Sequence, residues 1–331
     1  MRVLVTGGSG YIGNNVVEEL LKRNHFPVVF DMNYWGVDSL TPFKDKIKII
    51  EGDCRHSKDV IYALEGIDAV IHLAGIVGEA ACLKNPKAHF SINVESTRTL
   101  INCCTDPALE LTRDFIFAST CSVYGNVQGI YSEVTEHTPP GPLSDYAHAK
   151  IRSENIILGS GARISHFHPT ILRFTTVFGW SRRLRLDLVT NLFAYKAWKD
   201  KKLTIYGDGM QYRSLIHVRD VAGACVDILE APRFMRENQV FHVGEERNNK
   251  TIKEVAEIVQ SIIPKTEIEF LRDKPSDRRD YSINCRKIKN TIGWKAQWNV
   301  EAGIKELVNK FETEPIDWEA DCFRNSKFNY V

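Results

Sequence analysis

From its second residue to about position 174 the chain alternates two hydrophobic patterns. Runs that are apolar at nearly every position predict strands: RVLVT (Arg2–Thr6), PVVFD (27–31), IKIIEGD (47–53), DAVIHLAG (68–75), DFIFAST (114–120) and PTILRF (169–174). A strand with no polar alternation is covered on both faces, as in a parallel sheet. Between these runs lie segments of helical period, clearest over 11–24 through Ile12, Val16, Leu20 and Leu21. Alternating strand and helix implies right-handed crossovers, and the pattern predicts an α/β fold with a Rossmann-type, doubly wound parallel sheet.

The texture then changes. GWSRRLRLDL (179–188) is basic and loop-like, and KKLTIYGDGMQYRSLIHV (201–218) reads as two short strands about a turn. Helical periods return over 220–230 and 252–263. The expected organisation is a dinucleotide-type domain over 1–175, with later segments returning to it, and a smaller mixed α/β substrate-binding lobe over 176–315. The tail, 316–331, is polar with scattered aromatics and is expected to lie on the surface or against a partner.

Composition narrows this picture by exclusion. A formal net charge of +1 gives no electrostatic case for nucleic acid or an anionic membrane. No apolar run is long enough to span a bilayer, and a strand at residue 2 leaves no room for a leader, so a cytoplasmic location is expected. The 8 cysteines show no CxxC pair and no zinc or haem spacing, so no metal is expected. Cys54, Cys121 and Cys225 lie in apolar or motif-like stretches and read as reduced, packed thiols.

The first candidate chemistry is VLVTGGSGYIG, in which Gly7, Gly10 and Gly13 stand at GxxGxxG spacing. A strand turning sharply into a helix needs residues without a Cβ, both for the turn and for a pyrophosphate to approach the amides. The helix N-terminus then supplies free N–H groups and a positive dipole end. Alone, the stretch could be a tight corner and nothing more. It follows the first strand, however, and Asp31 ends the second strand 18 positions after Gly13. A carboxylate there accepts from the adenosine ribose hydroxyls and repels a 2′-phosphate, which favours NAD over NADP.

The second is YAHAK, which sets Tyr146 and Lys150 four apart on one helix face. An ammonium beside a phenol stabilises the phenolate and fits it to take a proton from a sugar hydroxyl. FASTCSVYG, ending a strand at the sheet's carboxyl edge, offers Ser119, Thr120 and Ser122 as hydroxyl donors.

Taken in order, TGGSGYIG, the acidic residue after the second strand, HLAG, STCSVYG, YxxxK and RSLIHVRD resemble the extended short-chain dehydrogenase/reductase family, in its nucleotide-sugar epimerase/dehydratase branch. The likeness runs to about Phe311. It implies that Tyr146 is the acid/base, that Lys150 holds the nicotinamide ribose and the phenolate charge, and that Thr120 bonds the reacting hydroxyl. It places Tyr11, Ile12, Phe174 and Val177 on the cofactor side, Asp53 and Cys54 beside the adenine, and Leu73, Ala74 and Gly75 beneath the dinucleotide. Asn93 is implied as a structural or cofactor-side asparagine. For the substrate it implies Ser122, Thr176, Asn191 on the diphosphate, Tyr206 on the base, Arg213 on a phosphate, and Lys274 with Arg279 in KPSDRRDY. Relatives usually pair as homodimers through two helices, which fall here near 86–104 and 146–158.

Departures from the family's pattern carry information too. Dehydratases of the branch usually have Thr-Asp-Glu where this chain has Thr120-Cys121-Ser122, so dehydration lacks its extra acid and base. Cys121 stands one place before the cysteine position of epimerising relatives and reads as packing. Thr176 replaces an asparagine of the usual LRxxNVYG, and Lys274 stands where an arginine is usual. Arg182, Arg183 and Arg185 could add cations to the site or lie on a solvated loop. The expected activity is an NAD-dependent 4-epimerase acting through a transient 4-keto sugar. The alternatives are a 4-dehydrogenase or 4-keto reductase, since LRFTTVFGWSRRLRLDLVTNLF is also similar to nucleotide-sugar dehydrogenases, and a non-catalytic NAD-binding regulatory protein.

Overall fold

The apolar runs lie side by side in a computed structural model that describes residues 1–109, 113–127, 133–273 and 282–329. The first half contains β1 (Arg2–Thr6), α1 (Gly13–Lys22), β2 (Phe26–Asp31), β3 (Lys48–Glu51), α2 (Ser57–Leu64) and β4 (Ala69–His72). It continues with α3 (Glu79–Lys84), α4 (Pro86–Phe90), α5 (Ser96–Cys104), β5 (Arg113–Thr120), α6 (Asp145–Gly161) and β6 (Phe167–Phe174). The second half has β7 (Thr176–Phe178), α7 (Val189–Asp200), β8 (Lys202–Tyr206), β9 (Tyr212–His217), α8 (Val218–Glu230) and α9 (Arg233–Arg236). After these come β10 (Gln239–Val243), β11 (Asn249–Thr251), α10 (Ile252–Ile262), β12 (Glu267–Leu271), α11 (Arg286–Ile292) and α12 (Val300–Thr313).

Seven strands form one sheet in the order β3-β2-β1-β4-β5-β6-β10, parallel throughout. The unbroken apolar runs are explained by what covers the two faces. Along β1, Val3 and Val5 pack with Val16, Leu20 and Val221 from α1 and α8. Leu4 points the other way, into a separate core with Val60 and Leu100 from α2 and α5. Each such side chain, fully buried, stabilises the fold by about 1.5–3 kcal/mol. The strand order reverses between β1 and β4, and the crevice outside their carboxyl ends is where ligands of such sheets collect.

One expectation for the second half needs correction. The strands predicted about a turn over 201–218 do not pair with each other: β8 pairs with β12, while β9 lies between β7 and β11. The linking backbone bonds elsewhere, with Gly209 O accepting from Lys253 N and Gln211 O from Ile252 N at the start of α10. Alternation marks a strand but does not choose its neighbour. Of the two readings left open for the arginines of 179–188, the solvated loop does not hold for the last two. Arg182 is partly exposed and pairs with Glu18, but Arg183 and Arg185 are buried. The tail folds back on its own chain, with Trp318 and Phe323 buried and Trp318 ring-on-ring with Trp180 and Phe311.

Candidate active site

The site is built outward from the glycine loop. Gly7 adopts φ +72°, and a Cβ on it would lie 2.8 Å from Ala74 N, so β1 turns flush against the segment leaving β4. A Cβ on Gly13 would lie 2.2 Å from Gly7 O, so α1 starts directly on the turn. Gly10 N donates to Gly7 O at 3.1 Å and closes the loop. No side chain caps α1 at Ile12, and the loop itself takes up part of the first turn, Asn14 N donating to Gly10 O at 3.2 Å and Asn15 N to Ile12 O at 3.1 Å. At the end of β2, Asp31 accepts from Ser9 N at 3.0 Å and from Asn33 N at 2.9 Å. Desolvation pushes its carboxyl up from the ordinary value, while these two donors and the nearby Arg183 act in the opposite sense.

The floor comes from the end of β4. Thr6 Oγ1 accepts from Ala74 N at 3.2 Å and shares a bond with His72 Nδ1 at 2.7 Å, and the other ring nitrogen of His72 meets Thr97 Oγ1 at 3.0 Å. Burial holds His72 down to about 3, so it is a neutral strut. Leu73, Ala74 and Gly75 line the cleft together with Gly7, Gly10, Tyr11, Ile12, Asp31, Asp53 and Cys54. Asp53 is gripped by Arg55, whose Nε donates to it at 2.8 Å. Asn93 is buried, and its amide is taken up by Ile76, accepting from N at 2.7 Å and donating to O at 2.9 Å. It therefore holds the loop after β4.

Tyr146 and Lys150 occupy the first turns of α6, which Ser144 caps by accepting from Ala147 N. Lys150 is buried, its Nζ donating to Ala118 O at 2.7 Å and lying 5.9 Å from the centre of the Tyr146 ring. Desolvation pushes its pKa down to about 8, with Glu154 and Cys82 opposing. It is therefore an ammonium at neutral pH and carries its charge in a low-dielectric setting, where one charge acts strongly on another. Ala118 and Thr120 are near neighbours on β5, so this bond brings the catalytic-type helix and the strand end together. Thr120 is half-buried, and its Oγ1 accepts from Ser122 N at 3.1 Å. Ser119 is buried and donates to Glu154 at 2.5 Å, which removes it as a hydroxyl donor to a ligand. Cys121 is fully buried, and desolvation raises its thiol far above the ordinary value.

Several residues expected on the substrate or on the cofactor are held within the chain itself. Asn191 is fully buried; it accepts from Gly179 N at 2.9 Å and donates to Arg185 O at 3.0 Å and to Tyr11 OH at 3.3 Å. With its amide so occupied it shapes the 179–185 loop and has nothing left for a diphosphate. The Tyr11 hydroxyl also donates to Gly179 O at 2.9 Å, so it joins two segments of the chain. Phe174 and Val177 are core residues, Thr176 and Ser122 are half-buried, and Tyr206 is exposed at the end of β8. Arg213 is buried on β9 and donates to Tyr212 O at 2.7 Å. Lys274 and Arg279, with Arg278, lie outside the described residues.

Sequence reasoning missed two groups. One is a buried network behind α6. Arg173 donates two hydrogen bonds to Glu154, at 2.9 and 2.6 Å, and one to Tyr124 OH at 2.6 Å, and that hydroxyl meets His242 Nε2 at 2.6 Å. Glu154 follows Lys150 by one helical turn on the same face, and Arg173 interrupts an apolar strand; both were signals of buried charge. The other is Asn325 and Phe328 of the tail, which line the same cleft as the glycine loop and stand there beside Arg183, a cation whose place the sequence left open.

The residues present fit a dinucleotide: a bare-backbone cradle that a Cβ would fill, a helix start with no side chain over it, a carboxylate on the second strand and a buried cation on the lining. The sequence profile of the family described as "NAD dependent epimerase/dehydratase family" matches residues 3–244. An uncharacterized UDP-glucose epimerase of Bacillus subtilis is 31% identical over 262 residues, covering 72% of this chain and 75% of that protein. The dTDP-D-glucose 4,6-dehydratase of Mus musculus is 26% identical over 335 residues, covering 96% and 90%. Among solved structures, the UDP-glucuronic acid 4-epimerase of Bacillus cereus, in complex with UDP-glucuronic acid and NAD, superposes with a TM-score of 0.83 at 25% identity, covering 94% of this chain and 99% of that one.

Proposed function

The chain belongs to the NAD-dependent epimerase/dehydratase family and is an enzyme of the extended short-chain dehydrogenase/reductase type; from that premise we propose that it is a nucleotide-sugar 4-epimerase. In this reading 1–175 holds the dinucleotide and 176–315 the nucleotide sugar, and two copies pair through the helices at 86–104 and 146–158. Phe90, on α4, is 41% exposed in the single chain and suits such a contact. No helix among the described residues is long and apolar enough to cross a membrane.

Bound NAD supplies a reversible hydride acceptor. The protein's part is the proton and the geometry. Tyr146 removes the proton of the sugar's C4 hydroxyl and later returns it. Lys150, an ammonium held at Ala118 O, favours the charged phenolate over the neutral phenol. The Thr120 hydroxyl bonds the C4 oxygen as it gains and loses carbonyl character. The observation that carries epimerisation over dehydration is the sequence Thr120-Cys121-Ser122. The two positions after Thr120 hold a fully buried thiol and a hydroxyl, and no carboxylate to take water from a sugar.

Tyr146→Phe tests this. Turnover of UDP- and dTDP-hexoses is expected to fall about 100- to 10,000-fold with NAD still bound, since general acid–base catalysis contributes on that scale. With C4-deuterated substrate the parent returns the label to C4 of the epimer and accumulates no NADH. Stoichiometric NADH would make it a dehydrogenase instead. Equal turnover by parent and variant would remove Tyr146 from the chemistry.

A further inference from the structure

Arg183 is 7% exposed and lines the cleft that holds the glycine loop. Its Nη1 donates to Asn325 Oδ1 at 2.8 Å, and the guanidinium carbon lies 5.2 Å from the centre of the Trp35 ring. Its Nε and Nη2 are buried with no hydrogen-bond partner among the described residues. Leaving such donors unmet is costly, and more so on a charged group. The neighbouring carboxylates are already engaged. Asp187 takes two bonds from Arg185, at 3.1 and 2.8 Å, and Asp31 accepts the backbone donors of Ser9 and Asn33. Desolvation, with the charge on Arg185, holds the Arg183 pKa down to about 10, while Asp187 and Asp31 act in the opposite sense.

The end of the chain closes the same region. Asn325 Nδ2 donates to Val77 O at 3.0 Å, and Asn85 Nδ2 donates to Phe328 O at 3.2 Å. The Phe328 ring lies 4.4 Å from that of Tyr34, whose hydroxyl exchanges two 3.1 Å bonds with the Asn329 backbone. Residues 325–329 thus tie the loop after β2 to the loop after β4, which flank the crevice where the strand order reverses.

We propose that Arg183 binds the diphosphate of the dinucleotide, and that residues 325–329 form a strap that keeps the cofactor in its cleft between turnovers. This rests on the reading of the cleft as the NAD site. A planar guanidinium with two parallel free donors matches paired phosphate oxygens. The strap positions that guanidinium through Asn325 and must open for the dinucleotide to leave. A cofactor held from one turnover to the next has to be reset on the same protein, which is the requirement of hydride return.

The test compares the parent, Arg183→Met, Arg183→Lys and a chain ended after Arg324, which keeps the buried Trp318 and Phe323. Each is melted to establish folding, assayed for NAD retained through gel filtration, then stripped and titrated by calorimetry with ADP-ribose, adenosine and UDP. For Arg183→Met the ADP-ribose Kd is expected to rise about 10- to 100-fold, the range of a lost charge-assisted bond, with adenosine and UDP unchanged. Arg183→Lys keeps the charge without the fork and is expected to lose several-fold, so it carries the test should the methionine variant fail to fold. The shortened chain is expected to release NAD at least about tenfold faster. An ADP-ribose Kd within twofold of the parent in both arginine variants overturns the assignment. So does a loss confined to UDP, which would move Arg183 to the substrate's diphosphate. Release from the shortened chain at the parental rate overturns the strap. Those results leave the NAD reading standing, whereas a parent that binds neither NAD nor ADP-ribose overturns both.

Discussion

Gly7 and Gly10 line the cleft with backbone, and Gly13, within the same seven consecutive residues, packs directly behind them. Arg183 and Asn325 line the same cleft with side chains and are 142 positions apart. On the glycine side, what matters is the absence of atoms, and the fit is set by local dihedrals and by contact with the neighbouring strand end. On the arginine side, what matters is convergence, since no stretch of the chain by itself places a guanidinium under an aromatic ring and beside a distant asparagine. The first kind of construction leaves a motif; the second leaves residues that look ordinary one at a time.

The sharpest way to break this comparison is to add one methyl group. Gly13→Ala would put a Cβ 2.2 Å from Gly7 O and 2.6 Å from Gly8 Cα, both backbone atoms that cannot step aside. Chemical denaturation is expected to show a loss of about 3–5 kcal/mol, together with loss of NAD binding. Gly159, on α6, supplies the control, because a Cβ there meets nothing within 4 Å. Gly159→Ala is expected to stabilise by about 0.5–1 kcal/mol. A Gly13→Ala protein as stable as the parent would mean that the turn is not as tight as described.

How much could be read in advance follows the same division. β1, Asp31 at the end of β2, and the Tyr146–Lys150 face of α6 were legible because each is a local pattern whose period or spacing has one physical reading. The pairing of β8 with β12 was not, since alternation is the same whatever strand lies alongside. Asn191 misled for a related reason. Its sequence context resembled a substrate contact, yet a fully buried amide answers to whichever backbone groups surround it, and those come from Gly179 and Arg185. The tail was ambiguous for want of a period. Trp318, Phe323 and Phe328 are spaced for no regular face, and only the folded chain shows that the first two enter the core and the third reaches Tyr34.

A smaller effect is expected on the side that depends on convergence. Asn191→Ala removes three buried hydrogen bonds and leaves Gly179 N and Arg185 O without partners. The expected loss is about 2–3 kcal/mol, measured by denaturation. Because Asn191 sets the loop that carries Arg183, NAD affinity should fall along with stability. If the nucleotide-sugar KM rises while stability and NAD affinity hold, the asparagine meets substrate after all.

The smallest effect lies at the seam between the two sides, and it is the most specific. Tyr11 belongs to the glycine loop, but its hydroxyl donates to Gly179 O and accepts from Asn191. Beside it, Ser181 Oγ donates to Tyr11 O at 2.7 Å and accepts from Asn14 Nδ2 at 2.8 Å. Burial raises the Tyr11 phenol well above its ordinary value, so the hydroxyl keeps its proton and its bond to Gly179 through the whole working range of pH. Tyr11→Phe keeps the ring and deletes only that joint, for an expected loss of about 1 kcal/mol that does not vary between pH 5 and 9. Combined with Asn191→Ala, the two losses should fall short of additivity by about 0.5–1 kcal/mol, since either change alone breaks the shared bond. NAD affinity should change by less than about threefold, because the hydroxyl's one proton is already given to Gly179. A tenfold loss of NAD affinity with unchanged stability would instead put the Tyr11 hydroxyl on the cofactor, and the two sides of the cleft would then be held together by Asn14 and Ser181 without it.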